Sequence, residues 1–438
     1  MNIFEDRESV VRTYCRAFPV VFKRAKGAFL YDTSGRRYID FFAGAGALNY
    51  GHNHDFIKQR LLEYIKEDGV IHALDLHTTA KAKFLESFVT HVMAPAGLDY
   101  KVMFCGPTGT NSIESALKLA RKVTGRPGIF SFMGGYHGMS LGSLAATGNA
   151  GKRKGSGVPL NNVTFLPYPV MPANLSLFSP DDTINFIENI LEDSHSGIER
   201  PAAVLFETVQ AEGGINVAPT RWICALKALC ERNEILLICD DIQAGCGRTG
   251  PFFSFERAGI FPDMITVSKS ISGYGAPMSL LLIRRDLDIW KPGEHNGTFR
   301  GYQLAMVGAT AALELREILD LTTEVQRKER FIESFLHSQL APIDTAIEIR
   351  GVGMIWGIDF SQIKHGESLC RRVSERCFEL GLIIETAGRN DTVLKLLPSL
   401  TIEDHLLEQG CVIIKRAMEE CLFRSERVRL ANGVSLHN

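Results

Sequence analysis

The sequence is short of several things, and each shortage removes a class of function. Its 48 lysines and arginines face 50 aspartates and glutamates, a net charge of -2. Such a balance builds no polyanion-binding surface, so no nucleic-acid partner is expected. No apolar run reaches the ~20 residues of a membrane span, and residues 1–12 contain no apolar signal core. Neither a membrane partner nor an export signal is expected. The ten cysteines have no C-x-x-C spacing, and several stand in apolar surroundings such as Ile238-Cys239. They read as reduced thiols of a cytoplasmic protein, with no disulfide framework and no zinc or other metal site. The glycine-rich loop from Gly106 to Asn111 is neither a Walker A loop nor the dinucleotide pattern G-x-G-x-x-G.

What is present is 438 residues, 45% hydrophobic and 22% charged, a globular composition too long for one simple core. Two domains are expected. Near the amino end, after a short helix at 9–15, two apolar-rich runs around Asp32-Thr33-Ser34-Gly35 predict a hairpin. The following segment, F-F-A-G-A-G-A-L-N-Y-G-H from Phe41, has few bulky side chains. It suits either close backbone approach to another surface or a ligand, or a tightly filled core turn. Beyond it, apolar runs alternate with helical patterns, which predicts a mostly parallel α/β sheet. At the carboxyl end the patterns predict one long helix over 304–336, a strand over 351–360, and strands at 381–385 and 393–397 around a loop with Arg389. A helix over 402–421 and a tail from 428 follow. This α+β cluster is expected to join the hairpin, giving a small domain from 1–55 and 326–438 beside a large one, 56–325.

The polar residues of the large region fall at strand ends. Gly109 and Thr110 stand between a strand and a helix, where free backbone N–H groups suit a phosphate. Tyr136 follows the next strand and could stack on a planar ring. The 202–206 strand ends at Glu207, and the 235–239 strand delivers Asp240, Asp241 and Gln243. Met264 to Val267 runs into Ser268-Lys269, followed by glycine and proline breakers. Ligands collect at the carboxyl ends of parallel strands, and a desolvated lysine there is a Schiff-base nucleophile. Phosphate loop, stacking aromatic, carboxylate and lysine together describe a pyridoxal 5'-phosphate site, the carboxylate keeping the pyridine nitrogen protonated.

The residues that carry this chemistry lie in longer motifs. Gln210 to Gly214, D-D-I-Q-A-G-C-G-R-T-G from Asp240, Pro262-Asp263 and Ser268-Lys269 resemble the class III, fold type I, pyridoxal-phosphate-dependent aminotransferases over residues 20–420. R-T-Y-C-R-A-F-P from Arg12, G-P-T-G-T-N from Gly106 and R-N-D-T-V-L-K-L-L-P from Arg389 are most similar to the diaminobutyrate branch of that family. The resemblance implies transfer of the 4-amino group between L-2,4-diaminobutyrate and 2-oxoglutarate, with L-aspartate 4-semialdehyde and L-glutamate as the other pair. It assigns Lys269 the cofactor aldehyde, Asp240 the pyridinium, Gln243 the ring hydroxyl, Tyr136 the ring face, and Gly109 and Thr110 the phosphate. Glu207 supports the site. Thr298 is assigned the phosphate of the neighbouring subunit, which implies an obligate homodimer or a tetramer built on it. Arg389 is assigned the α-carboxylate of 2-oxoglutarate, with Glu212 as the acidic gate that pairs with it. Ala276, Tyr302 and Gln303 depart from the branch pattern near the expected site. The alternatives are another ω-aminotransferase, acting on ornithine, 4-aminobutyrate or a related diamine, and a non-catalytic protein of the same fold.

Overall fold

The computed structural model describes residues 3–170 and 179–431, with side chains to residue 422. Seven strands form the central sheet, in the order Tyr100–Phe104, Leu280–Arg284, Met264–Val267, Leu236–Asp240, Ala203–Phe206, Ile129–Phe132 and Val163–Leu166. Leu280–Arg284 runs antiparallel to both neighbours, and the remaining pairs are parallel. The inner strands are buried at every residue, as near-continuous apolar runs with both faces covered must be. Register then does the positioning. Asp240 lies opposite Thr266 and Cys239 opposite Phe206, so Glu207, Asp240 and Lys269 all leave the sheet at its carboxyl end.

The two chain ends meet in a second sheet, where Leu382–Ile383 adds in parallel to Arg37–Asp40 of the expected amino-terminal hairpin. Phe41, Trp356, Leu382 and Met418 share one apolar cluster, so both ends of the chain fill the same core. A third sheet, antiparallel, orders Glu348–Val352, Ile355–Asp359, Val393–Leu396 and Glu385–Ala387.

Several elements differ from the sequence expectation, each for a local reason. The strand over 351–360 is a hairpin that turns at Gly353, whose φ of +58° suits glycine. The helix over 304–336 is two, Gln303–Ile318 and Leu321–Phe335, parted where Asp320 takes a φ of 41°. Residues 381–385 divide between two sheets. The helix at 9–15 forms instead as Ile3–Arg7 and Tyr14–Ala17. The carboxy-terminal helix, Asp404–Ala431, runs past the start of the expected tail, and 432–438 lie outside the described residues.

After Met264–Val267 the chain turns sharply. Ser268 Oγ donates to the Met278 carbonyl at 2.8 Å and closes the loop, while Lys269 itself takes a φ of 49°, a left-handed conformation costly for a side-chain-bearing residue. Gly273 follows with a φ of +68°, and a Cβ there would overlap that of Ala312. Gly273→Ala is therefore expected to cost more than ~1 kcal/mol, read as a lowered urea midpoint. An unchanged midpoint would mean that the lysine loop is not held against the Gln303–Ile318 helix.

Candidate active site

Outside the carboxyl ends of the parallel strands lies a cavity of about 540 Å³, lined by Gly109, Thr110, Tyr136, Glu207, Glu212, Asp240, Gln243 and Lys269. Eight of the ten residues predicted for the site are thus gathered by the fold. Thr298 is exposed and outside this cavity, and Arg389 does not line it either. Of the three departures, Ala276 lines the cavity, whereas Tyr302 and the buried Gln303 do not.

At one side, the 16-residue helix Gly109–Thr124 points its amino end at the cavity. Thr108 caps it through Asn111, whose Oδ1 accepts from Thr108 N at 3.2 Å and Oγ1 at 2.9 Å. That leaves first-turn N–H groups and the positive end of the helix dipole for an anion. Gly109 is a close-approach position, since a Cβ would come within 2.8 Å of Ile242 Cδ1. Thr110 Oγ1 lies 2.6 Å from Ser140 Oγ, which donates to Glu114 at 2.7 Å.

At the sheet end, Asp240 is 6% exposed and its Oδ2 lies 2.7 Å from Nδ1 of the buried His137. His137 was not singled out in the sequence. It follows Tyr136 at the end of Ile129–Phe132, and only the sheet order Leu236–Asp240, Ala203–Phe206, Ile129–Phe132 shows how its loop reaches Asp240. Burial, then the Asp240 charge, push Glu207 well above the ordinary carboxylate range, while the Tyr136 N–H donates to it at 3.2 Å. Asp241 faces the other way, buried and accepting from Ser254 N at 3.1 Å, its pKa pushed up to about 7 by burial.

Burial lowers the Lys269 ammonium from the ordinary lysine value, against the opposing pull of Glu212. Its Nζ donates to the Ala45 carbonyl at 2.8 Å, and Gln243 Nε2 donates to the same oxygen at 2.8 Å. Ala45 belongs to the small-residue segment after Phe41, where Ala43, Gly44, Ala45 and Gly46 all have positive φ. Of the two uses foreseen for that segment, close approach is the one the fold makes: its backbone reaches the lysine.

The acidic gate meets a different cation from the one expected. Glu212 Oε1 lies 2.7 Å from Lys395 Nζ, and Glu385 Oε1 lies 2.9 Å from the same nitrogen. Lys395 is wholly buried, and against the cost of burial the two carboxylates raise its pKa. Burial also works against charging Glu212, yet Lys395 and Lys269 hold its carboxyl down to about 2. The loop of Glu212 is docked for this contact: Gly388 N donates to the Glu212 carbonyl at 3.0 Å, and Arg350 Nε to that of Gly214 at 2.9 Å. Arg389 instead sits beside Gly134. The expectation that Glu212 pairs with Arg389 is corrected: the arginine lies in the turn, while Lys395 stands on the strand that faces the Glu212 loop.

A helix amino end for a phosphate, a buried aspartate for a protonated ring nitrogen and a desolvated lysine for an aldehyde fit pyridoxal phosphate on one molecule. Asp241 yields a pH prediction. A carboxyl whose folded pKa exceeds its unfolded one holds more protons when folded, so its contribution is present below about 4 and lost as pH rises toward 7. Urea midpoints of Asp241→Asn are expected to fall less than those of the parent between those pH values. Parallel profiles would refute the buried, protonated acid.

Comparison with known proteins agrees with this geometry. The family model Aminotransferase class-III matches residues 11–418. The chain is 53% identical over 426 residues to a diaminobutyrate--2-oxoglutarate transaminase of Streptomyces coelicolor, covering 96% of this chain and 98% of that one. To the protein of the same name from Halalkalibacterium halodurans it is 51% identical, over 98% of each chain. The ornithine aminotransferase of Toxoplasma gondii has the same fold, with a TM-score of 0.81 at 23% identity over 97% of this chain and 94% of the other. Carrying a family match over nearly its whole length and a lysine at the strand end where that chemistry needs one, the chain belongs to the class III aminotransferases.

Proposed function

We propose that the protein moves the 4-amino group between L-2,4-diaminobutyrate and 2-oxoglutarate, with L-aspartate 4-semialdehyde and L-glutamate as the other pair and pyridoxal 5'-phosphate as cofactor. The observation that carries the reading is that the desolvated Lys269 shares its cavity with a half-buried Glu212 paired to the buried Lys395, an amine beside a charge that can open. The two relatives at 53% and 51% identity, both diaminobutyrate transaminases by name, support the substrate.

Bound pyridoxal phosphate supplies an aldehyde that condenses with amines and a ring that takes up the electron pair left by a broken C–H bond. Asp240, oriented by His137, offers its carboxylate to the ring nitrogen, and the first N–H groups of the Gly109–Thr124 helix offer donors to the phosphate. Tyr136 provides an aromatic face, Gln243 an amide for the ring hydroxyl, and Glu207 fixes the Tyr136 backbone. Lys269 Nζ anchors the cofactor. When not holding the cofactor, the same nitrogen would be the base that takes up a proton from the substrate carbon and gives it back. Its lowered pKa favours the uncharged form that both tasks need.

Two unlike substrates must use one pocket. With Glu212 on Lys395 the far end is closed to carboxylates and open to an ammonium. When Glu212 swings away, Lys395 becomes the cation for the carboxylate of 2-oxoglutarate, the role that the resemblance assigned to Arg389. The exposed Thr298 beside the exposed Phe299 leaves its assigned contact to a second subunit, and we keep the homodimer as part of the proposal. We also keep the cytoplasm, since all ten cysteines are free thiols. Among the described residues no helix is long and apolar enough to cross a membrane.

A panel of amino donors with 2-oxoglutarate, followed by glutamate formation, is expected to rank diaminobutyrate first; ornithine or 4-aminobutyrate at the head would sink the substrate assignment. In single half-reactions, Lys395→Met is expected to weaken 2-oxoglutarate by about 30-fold or more, the scale of losing one partner of a buried charge pair. Arg389→Ala is expected to lose much less, and the reverse ranking would return the role to the arginine.

A further inference from the structure

The Glu212–Lys395 pair is electrically complete, yet a second carboxylate is buried against it. Glu385 and Lys395 are directly opposed across two antiparallel strands, which puts their side chains on one face of the sheet. Glu385 is 7% exposed and lies 2.9 Å from a lysine that Glu212 already contacts at 2.7 Å. Burial pushes the Glu385 carboxyl up from its ordinary value while Lys395, already shared with Glu212, pulls it back; holding a surplus acid there costs several kcal/mol, so a third member needs a reason beyond stability. All three charges act on Lys269, the place where the reacting amine of a donor must stand. The phenol of Tyr14 also feels Glu385 and Glu212.

We propose that Glu385 is a specificity-determining residue acting through Lys395: two carboxylates on one lysine leave the far end of the cavity negative, which favours donors with a second ammonium group over donors ending in a carboxylate alone. The proposal rests on the aminotransferase reading of this pocket and names what selects its donor. A diamine bound by one nitrogen at Lys269 carries its other ammonium toward the surplus charge. An ω-amino acid without that ammonium brings only its carboxylate, which the same charge repels. Glu385 has a second effect on the acceptor side. When the carboxylate of a 2-oxo acid replaces Glu212, the cross-strand Glu385 stays, so Lys395 keeps one anion throughout the exchange.

The test uses the holoenzyme, with the absorption change of the bound cofactor recording single half-reactions, so that slow donors register. For Glu385→Gln, the preference for 2,4-diaminobutyrate over 4-aminobutyrate in kcat/KM is expected to fall on the order of tenfold, the scale of one charge felt across a few ångströms of protein. The loss should lie in KM for the diamine and not in kcat. Calorimetric titration of glutarate, a dicarboxylate with no amine, is expected to show a Kd several-fold tighter than in the parent. Glu385→Asp, which keeps the charge, should restore the preference. A structural lesion would weaken both ligands together, and that result, or an unchanged preference, overturns the proposal. Should Glu385→Gln not fold, Glu385→Ser, with room for water beside Lys395, is measured in its place. A parent enzyme that ignores diaminobutyrate but uses another amine would defeat the substrate assignment instead, a failure visible before any variant is made.

Discussion

An acidic side chain taken out of water must find a cation or a set of donors, and this molecule meets that condition four times in and beside one cavity. Asp240 has His137, Glu207 has the Tyr136 N–H, and Glu212 and Glu385 share Lys395. Because each partner lies on a different element from the acid it meets, the four contacts also register those elements on one another. Asp240 ties the 136–138 loop to the middle strand of the sheet. Glu212, in the turn between Val209–Gln210 and Asn216–Val217, ties that small hairpin to the antiparallel sheet at the carboxyl end, and Glu385 completes the tie from within that sheet.

Seen this way, the left-handed conformation of Lys269 is one cost among several that the surrounding packing offsets. Ser268 and Ser270 hold the loop from both sides, the second donating to the Gly46 carbonyl at 3.0 Å and accepting from Asn49 N at 2.9 Å. The small residues after Phe41 are what let a backbone carbonyl reach the lysine amine. A bulky residue at Gly46 would meet Gln243, whose Cγ lies 3.5 Å from where a Cβ would stand.

The two amine-bearing lysines divide the labour. Lys269 is desolvated and pushed toward its neutral form, as a nucleophile and base must be, whereas Lys395 is desolvated yet kept charged by two carboxylates, as a binding cation must be. Burial acts on both in the same direction. What separates them is contact: Lys395 Nζ touches two carboxylates at 2.7 and 2.9 Å, whereas Lys269 Nζ donates to the neutral carbonyl of Ala45.

How legible this was differs from residue to residue. Asp240, Glu207 and Lys269 could be read because each ends a strand whose apolar run is unmistakable, and parallel strands collect their ends in one place. Gly109 and Thr110 could be read because a strand, a glycine and a helix in succession leave N–H groups free. His137 could not, since nothing near it in the sequence says which strand lies beside its own. Lys395 stood inside the same segment as Arg389, and it was the family resemblance, not any local pattern, that assigned the role to the arginine. The hairpin between them decided otherwise: it turns Arg389 away to Gly134 and brings Lys395 directly opposite Glu385. Strand periodicity and chemical type are local properties, so the sequence by itself determined the sheet, the family and the nucleophile. Which buried cation meets which carboxylate depends on the register between strands far apart in the chain, and only the tertiary structure decided that.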